Sequence, residues 1–492
     1  MSFDYDLVIL GGSAVARYAA AKASHWGARV ALVESVTTPG TALLGSLYDR
    51  VLAEAGHLLY DWQKTQQLWL YPPLDPETTP PFDRASWQSH IREWTQDTVA
   101  ALADRAGGYS LSTLAVAGVD VRVGEGRFEP VSRRSGRSVS SIVFQVNGSS
   151  LKSRAYLLAP PSHSAIPDVV GLADISYWTV EQLATQAWQV PDRLMIVGGS
   201  PLSLELAQLF NRLGTQVTVV VSQPRLLPYE EAEVITLLQA MLEAEGIEII
   251  PDAQITQVKQ LGQQIWVQAG NHALETDQLL LTGQAPLLAL WNLDAVGVAM
   301  RSSGVLVNSR LQTTHPQIYA CAEALGGYAL PHLAQLEADI ALRNALFFPT
   351  SKINYRSVPW TIFTHPTFAR VGVTETQARR FYGDSIVVLR HPLTTGLKAQ
   401  IQQETIGVGK LIVRRNGEIL GASLLGAGAA ELISPIALAM QHRIKLQAMA
   451  RSAFVSPAFS EVLAHLIQQW QQCRLPNWQK ELLESWFNFR RA

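Results

Sequence analysis

Apolar and polar residues follow two rhythms along this chain. Residues 5–34, YDLVILGGSAVARYAAAKASHWGARVALVE, open on an apolar run and turn at Gly-Gly. Small apolar residues at helical spacing follow, then a second apolar run. Continuous apolar runs mark strands covered on both faces, as in a parallel sheet. The pattern therefore predicts strand, turn, amphipathic helix and strand. Residues 193–222, RLMIVGGSPLSLELAQLFNRLGTQVTVVVS, repeat it. Two such βαβ units predict two doubly wound domains. A third strand and turn, QIYACAEALGG, precedes a helical run through Leu346. Beyond about Val358 the texture changes, and short β-rich runs such as SIVVLRH and GKLIVRRNGEILGASLLG alternate with helices. Asn416-Gly417 reads as a hairpin turn, and VSRRSGRSV as a polar hairpin. The last 32 residues, 461–492, form two helical stretches broken at Pro476. Trp478, Leu482, Trp486 and Phe489 recur there at helical spacing, with Arg490 and Arg491 after them.

Composition narrows the picture. A chain of 492 residues suits about three domains. Hydrophobic residues at 48% against 16% charged are enough to bury a large core. A net charge of −2 gives no basic stripe for nucleic acid. The two cysteines, Cys321 and Cys473, match no metal or CxxC spacing, and their scarcity fits the cytoplasm. MSFDYDLVIL is acidic and enters a strand at once, so no signal peptide is expected. The longest apolar stretch, residues 419–440, is interrupted by Glu431 and glycines, so no membrane span is expected.

The two Gly turns carry the candidate chemistry. The dinucleotide fingerprint G-x-G-x-x-G/A uses small residues for the turn, for backbone approach to a pyrophosphate and for helix packing. The first turn reads Gly11-Gly12-Ser13-Ala14-Val15-Ala16. Gly11 and Ala16 fit, Ser13 adds a side chain at the closest phosphate approach, and Glu34 stands where a ribose-binding acid belongs. The second turn reads Gly198-Gly199-Ser200-Pro201-Leu202-Ser203. Its strand ends at Val221-Ser222 with no acid, and Arg225 is the nearest cation, so it reads either as a nicotinamide-nucleotide site or as a retained but unused fold.

In this order the motifs resemble the FAD-dependent pyridine nucleotide–disulfide oxidoreductases, which include dihydrolipoamide dehydrogenase, glutathione reductase and mercuric reductase. YLLAPPSHSAIPDVVGL resembles the segment returning to the flavin domain. TTHPQIYACAEALGG resembles the second flavin motif, and residues from VPWTIFTHPTFARVGVTETQA onward resemble the interface domain. The resemblance implies an α/β fold: two doubly wound dinucleotide-binding domains and a C-terminal α+β dimerisation domain. The expected FAD-binding domain is residues 1–165 with 281–348, and the NAD(P)-binding-like domain 166–280. The interface domain is 349–468 and a helical extension 469–492. A homodimer is implied. FAD is expected at Gly11, Gly12, Ser13, Ala14, Ala16, Glu34, Thr41 and Glu323, and NADH or NADPH at Gly198, Ser200 and Arg225.

The resemblance fails at the redox centre. After Gly40-Thr41, where the family places its first cysteine, stands Ala42. With one residue deleted, Ser46 takes the second cysteine's place and Arg50 that of the family's lysine. Without the deletion the second place falls to Leu47. A serine forms neither thiolate nor disulfide. The family's C-terminal His-Pro-Thr-x-x-Glu is SPAFSE here, with Ser456 for the acid/base histidine and Glu461 retained. Ala322-Glu323 replaces the family's Gly-Asp, and Glu205 matches its glutamate beside the flavin. His365, in an isolated HPTF, is expected to be structural. The candidate catalytic residues are thus Arg50, Glu205, Ser46, Ser456 and Glu461. No metal site is expected.

Two functions follow. One is an FAD-containing oxidoreductase passing electrons from NAD(P)H to a small-molecule, non-disulfide acceptor such as a quinone or oxygen. The other is a catalytically degenerate flavoprotein fold acting as a dimeric scaffold or sensor. Under either, the expectation is that the chain is not a disulfide, lipoamide or mercuric reductase. The aromatic tail is expected to pack on its own body or dimer mate, with docking on a partner or membrane surface as the alternative.

Overall fold

A computed structural model of the chain describes residues 3–35, 41–67, 84–105, 109–131, 141–186, 188–327, 330–474 and 477–491. The chain divides into two compact units. The first holds residues 1–225 and 246–353, the second 226–245 and 354–492.

The first unit holds both βαβ elements. β1 (Tyr5–Leu10), α1 (Ala14–His25) and β2 (Val30–Glu34) fold from residues 5–34 as the apolar rhythm predicts. The 27-residue α2 (Thr41–Gln67) follows, then α3 (Arg84–Arg105). β3 (Asp120–Val123) joins the sheet at one edge and β4 (Ser153–Leu158) beside β1. The second element is β5 (Arg193–Val197), α4 (Pro201–Arg212) and β6 (Gln216–Val220). The next helix in the chain, α5 (Ala232–Ala244), belongs to the second unit. β7 (Glu248–Ile250), β8 (Gln278–Leu281), β9 (Ile318–Ala320) and α6 (Pro331–Leu346) return to the first.

The first sheet has strand order β9-β4-β1-β2-β3, all parallel. β1 is central, with Leu7 opposite Val30 on one side and Ala155 on the other. Its alternate residues enter different cores. Leu7 and Ile9 pack with Ala16, Ala19, Ala20 and Ala23 of α1. Val8 and Leu10 pack with Phe128, Phe144, Tyr156 and Trp291. The alanines recur at i, i+3, i+4 and i+7, which lets α1 lie close on the sheet. The second sheet runs β7-β6-β5-β8, parallel, with Trp178–Thr179 at its edge. In each sheet the Gly turn sits at the C-terminal end of a central strand, where doubly wound folds bind ligands.

The second unit is an antiparallel sheet with helices. Its elements are β10 (Trp360–Ile362), β11 (Phe368–Gly372), α7 (Glu375–Tyr382), β12 (Ile386–Pro392), β13 (Val408–Arg414) and β14 (Ile419–Leu425). The order is β10-β11-β14-β13-β12. β13 and β14 form the hairpin read from Asn416-Gly417. α8 (Ala429–Gln441) and α9 (Glu461–Arg474) cover it, burying Ile433, Leu466 and Trp470. α10 (Asn477–Arg491) follows, with Trp486, Phe487 and Phe489 exposed on this chain. The connection read as a polar hairpin, residues 132–140, lies outside the described residues, though the strands flanking it, Gly126–Val131 and Ser141–Val146, pair antiparallel. Among the described residues no helix is long and apolar enough to cross a membrane.

Candidate active site

The first turn is built around Gly11. Its φ of +130° admits only glycine without strain, and an added Cβ would lie 2.0 Å from the Ala159 carbonyl oxygen. Ser13 is the N-cap of α1. Its hydroxyl donates to the Ala159 carbonyl at 2.8 Å and accepts from Ala16 N–H at 3.2 Å. Ser13 therefore serves the turn as structure. Glu34, fully buried at the end of β2, lies directly under Gly12, where an added Cβ would be 2.7 Å from Oε1. Arg17 of α1 donates to the same oxygen at 2.6 Å. Sequence reading missed Arg17. Its signal was a cation in the second turn of a helix whose paired strand ends in an acid.

These residues fit a flavin dinucleotide. A cleft lined by Gly11, Gly12, Ser35, Gly124, Glu125 and Trp291 opens at the ends of β1 and β2. Among the described residues, the buried atoms Arg17 Nε and Glu323 Oε2 have no hydrogen-bond partner. The first is a donor waiting for an acceptor, the second an acceptor waiting for a hydroxyl. Burial pushes the Glu323 carboxyl above its ordinary range. Glu323 follows β9, and the neighbouring Ala322 N–H donates to Glu337 Oε2 at 2.6 Å. Arg17 Nε would donate to a phosphate or ribose oxygen of FAD, and Glu323 would accept from a ribityl hydroxyl.

The structure brings Arg50 and Glu205 together. Arg50 Nη1, on α2, lies 2.8 Å from both carboxylate oxygens of Glu205, on α4. Glu205 is buried, with 1% of its side chain exposed against 36% for Arg50. Thr41 and Ser46 fall on the first turns of α2, and their side chains lie outside the described residues. Cys321 is buried in the sheet core; burial, then the Glu337 and Glu323 charges, push its thiol well up. It is a core thiol and no nucleophile.

The remaining candidates lie elsewhere. Ser456 and Glu461 meet in the second unit, where the Ser456 hydroxyl donates to Glu461 Oε1 and Leu397 N–H to Oε2 at 3.0 Å. The Ser456 hydrogen bond holds that exposed carboxyl below its usual range. His365 Nε2 pairs with Glu404 Oε2 at 3.0 Å, a carboxylate from another part of the second unit. At the second Gly turn, Gly198 has φ +132° and Ser200 is the N-cap of α4. Arg225 stands exposed after β6. Among the described residues no cluster suited to a metal ion occurs.

Comparison with known proteins sets this geometry in a family. The family described as pyridine nucleotide-disulphide oxidoreductase matches residues 5–338, and its dimerisation domain matches 358–467, which supports a homodimer. The mercuric reductase of Staphylococcus aureus is 29% identical over 458 residues, covering 91% of this chain and 79% of its own. The dihydrolipoyl dehydrogenase of Synechocystis is 27% identical over 484 residues, covering 94% and 98%. Among solved structures, LpdA from Mycobacterium tuberculosis superposes with a TM-score of 0.79 at 23% identity, covering 94% of this chain and 99% of its own. The HOCl-induced flavoprotein disulfide reductase RclA from Escherichia coli gives 0.78 at 22%, covering 95% and 100%. These names overturn the expectation that the chain is not a disulfide, lipoamide or mercuric reductase. That exclusion rested on side chains absent from one route of electron flow, and relatives bearing those activities align over nine-tenths of the chain. Members of the family are FAD-dependent and use NAD(P)H. By the extent of the match across both of its regions, the chain belongs to the pyridine nucleotide–disulphide oxidoreductase family.

Proposed function

We propose that the protein is an FAD-dependent oxidoreductase that takes electrons from NAD(P)H and delivers them directly from the flavin to a small acceptor of the quinone or oxygen class. FAD, when bound, supplies the two-electron chemistry, receiving hydride from the nicotinamide and returning electrons to the acceptor. The observation that carries this reading is a dinucleotide cradle that keeps Gly11, Ala16 and Glu34, followed by an α2 whose first turns hold Ala42 and Ser46. Direct transfer needs no thiol there. The chain's own residues bind and orient. On this reading Glu323 offers a buried acceptor to the ribityl chain, and Arg50, held by Glu205, is the cation beside the flavin.

The test is anaerobic mixing of the FAD-loaded protein with NADH or NADPH, followed by a panel of acceptors: a soluble quinone, oxygen, lipoamide, glutathione disulfide and Hg²⁺. Bleaching of the flavin band, with fastest recovery by the quinone, is the expected result. A flavin that neither cofactor bleaches at millimolar concentration, or recovery fastest with a disulfide or Hg²⁺, refutes the reading. In the first of those outcomes the scaffold function takes its place.

A further inference from the structure

The two Gly turns of the first unit share one backbone plan and differ in what they leave for a ligand. At the first, Ala16 N–H is taken by the Ser13 hydroxyl, while the N–H groups of Ser13, Ala14 and Val15 have no partner among the described residues. At the second, Pro201 occupies the first helical position and has no N–H. Ser200 N–H donates to Ser203 Oγ at 3.2 Å, and Ser203 N–H to Ser200 Oγ at 3.2 Å. Of Ser200, Pro201 and Leu202, which match Ser13, Ala14 and Val15 of the first turn, only Leu202 keeps an N–H without a partner among the described residues.

The hydroxyl protons of the second turn are also spent. Thr282 Oγ1 donates to the Val197 carbonyl at 2.8 Å, so it accepts from Ser203 Oγ at 2.8 Å. Ser203 Oγ in turn accepts from Ser200 Oγ at 2.8 Å. The chain of donors ends on the protein's own backbone. Below the turn the contrast continues. An added Cβ on Gly12 would meet the Glu34 carboxylate, whereas one on Gly199 would meet Val221 Cγ1 at 2.8 Å. A buried isopropyl group stands where the first turn has its ribose acid.

We infer that Pro201, the Ser200–Ser203–Thr282 hydroxyl chain and Val221 make the second turn a low-affinity site for nicotinamide dinucleotides, one that distinguishes poorly between NADH and NADPH. The inference rests on the reading that NAD(P)H is the electron donor. A helix N-terminus holds pyrophosphate through its free N–H groups. Two charge-assisted hydrogen bonds fewer than the first turn offers correspond to about 10²–10⁴-fold weaker binding. Val221 offers neither an acceptor for the 2′-hydroxyl of NADH nor a cation for the 2′-phosphate of NADPH.

Calorimetric titration of the FAD-loaded protein with NADH and NADPH tests this. The wild type is expected to bind both with millimolar Kd, within a few-fold of each other. Pro201→Ala restores one N–H and leaves the Ser200–Ser203 cap in place. Ser203→Ala frees the Ser200 N–H. Each should tighten both cofactors about tenfold. Val221→Glu should tighten NADH and weaken NADPH. Micromolar binding by the wild type, or no tightening in Pro201→Ala, overturns the inference even if Ser203→Ala or Val221→Glu folds poorly. Flavin bleaching at saturating cofactor separates the two readings. Tightened binding without bleaching in any variant sinks the donor reading alone. Bleaching without tightening sinks this inference alone.

Discussion

At the scale of single residues, Ala322 carries strain that a glycine would relieve. Its φ is +55°, a left-handed conformation that costs an L-residue with a Cβ roughly 1–2 kcal/mol. The N–H bond to buried Glu337 helps hold it there. Ala322→Gly removes the steric cost and adds backbone entropy to the unfolded chain, for a net gain of about 0.5–1 kcal/mol. A thermal melt that falls instead would show the conformation to be unstrained. Arg50 acts through charge. If it stands beside the flavin, Arg50→Ala makes the flavin harder to reduce by about 30 mV, the equivalent of a tenfold change. Arg50→Lys keeps the charge and should keep most of the potential; an unchanged potential in Arg50→Ala counts against the placement. Gly11 and Glu34 were legible in the sequence because one motif fixes their spacing. Arg17 and Thr282 were not, because each acts on a residue brought near only by the fold: Arg17 on Glu34, Thr282 on Ser203.

At the scale of elements, apolar rhythm foretold the parallel strands and Asn416-Gly417 the β13–β14 hairpin, since each is a local pattern. What it could not show is how polar residues inside an element are paid for. Lys410 opens the apolar run of GKLIVRR, third of the seven residues of β13, and is only 2% exposed. Its Nζ reaches Glu231 at 2.9 Å, Glu233 at 2.9 Å and Glu375 at 2.8 Å. Arg390 of β12 closes the cluster on Glu233 and Glu375. Burial alone would lower the lysine's pKa, but the three carboxylates, Glu375 first, raise it above its ordinary value. The cluster ties the start of α5 to α7 and the sheet of the second unit. Lys410→Met would leave three carboxylates crowded together, one of them, Glu231, buried, at a cost of roughly 3–5 kcal/mol. Chemical denaturation measures this. A loss under about 1 kcal/mol would mean that Arg390 and Arg379 already balance the cluster.

At the scale of the whole molecule, the two units should answer to different variables, because their polar chemistry differs. The first holds the dinucleotide cradle and gains stability from any ligand that binds only its folded form, as RT ln(1 + [L]/Kd). The second holds the Lys410 cluster, in which Glu375 and Glu233 fall below their ordinary range. Burial works against this shift at Glu375, but hydrogen bonds from Lys410 and Arg379 bring it to about 2. Hydrogen bonds from Arg390 and Lys410 likewise lower Glu233. A depressed carboxylate adds stability that is fully present above its unfolded value of 4.5 and is lost as pH falls towards 2. For Glu375 this amounts to roughly 3 kcal/mol at most. The raised Lys410 has the opposite sign, and its contribution persists at neutral pH and fades only above its ordinary value of 10.5. Scanning calorimetry should therefore resolve two transitions. Added FAD is expected to raise the one belonging to the first unit at neutral pH, and acidification from pH 5 to 3 to lower mainly the other. Glu375→Gln should flatten that acid dependence while leaving the FAD-dependent shift intact. A single transition that moves as one with both FAD and acid would show that the two units fold and melt together, and that the cradle and the charge cluster stabilise a common structure.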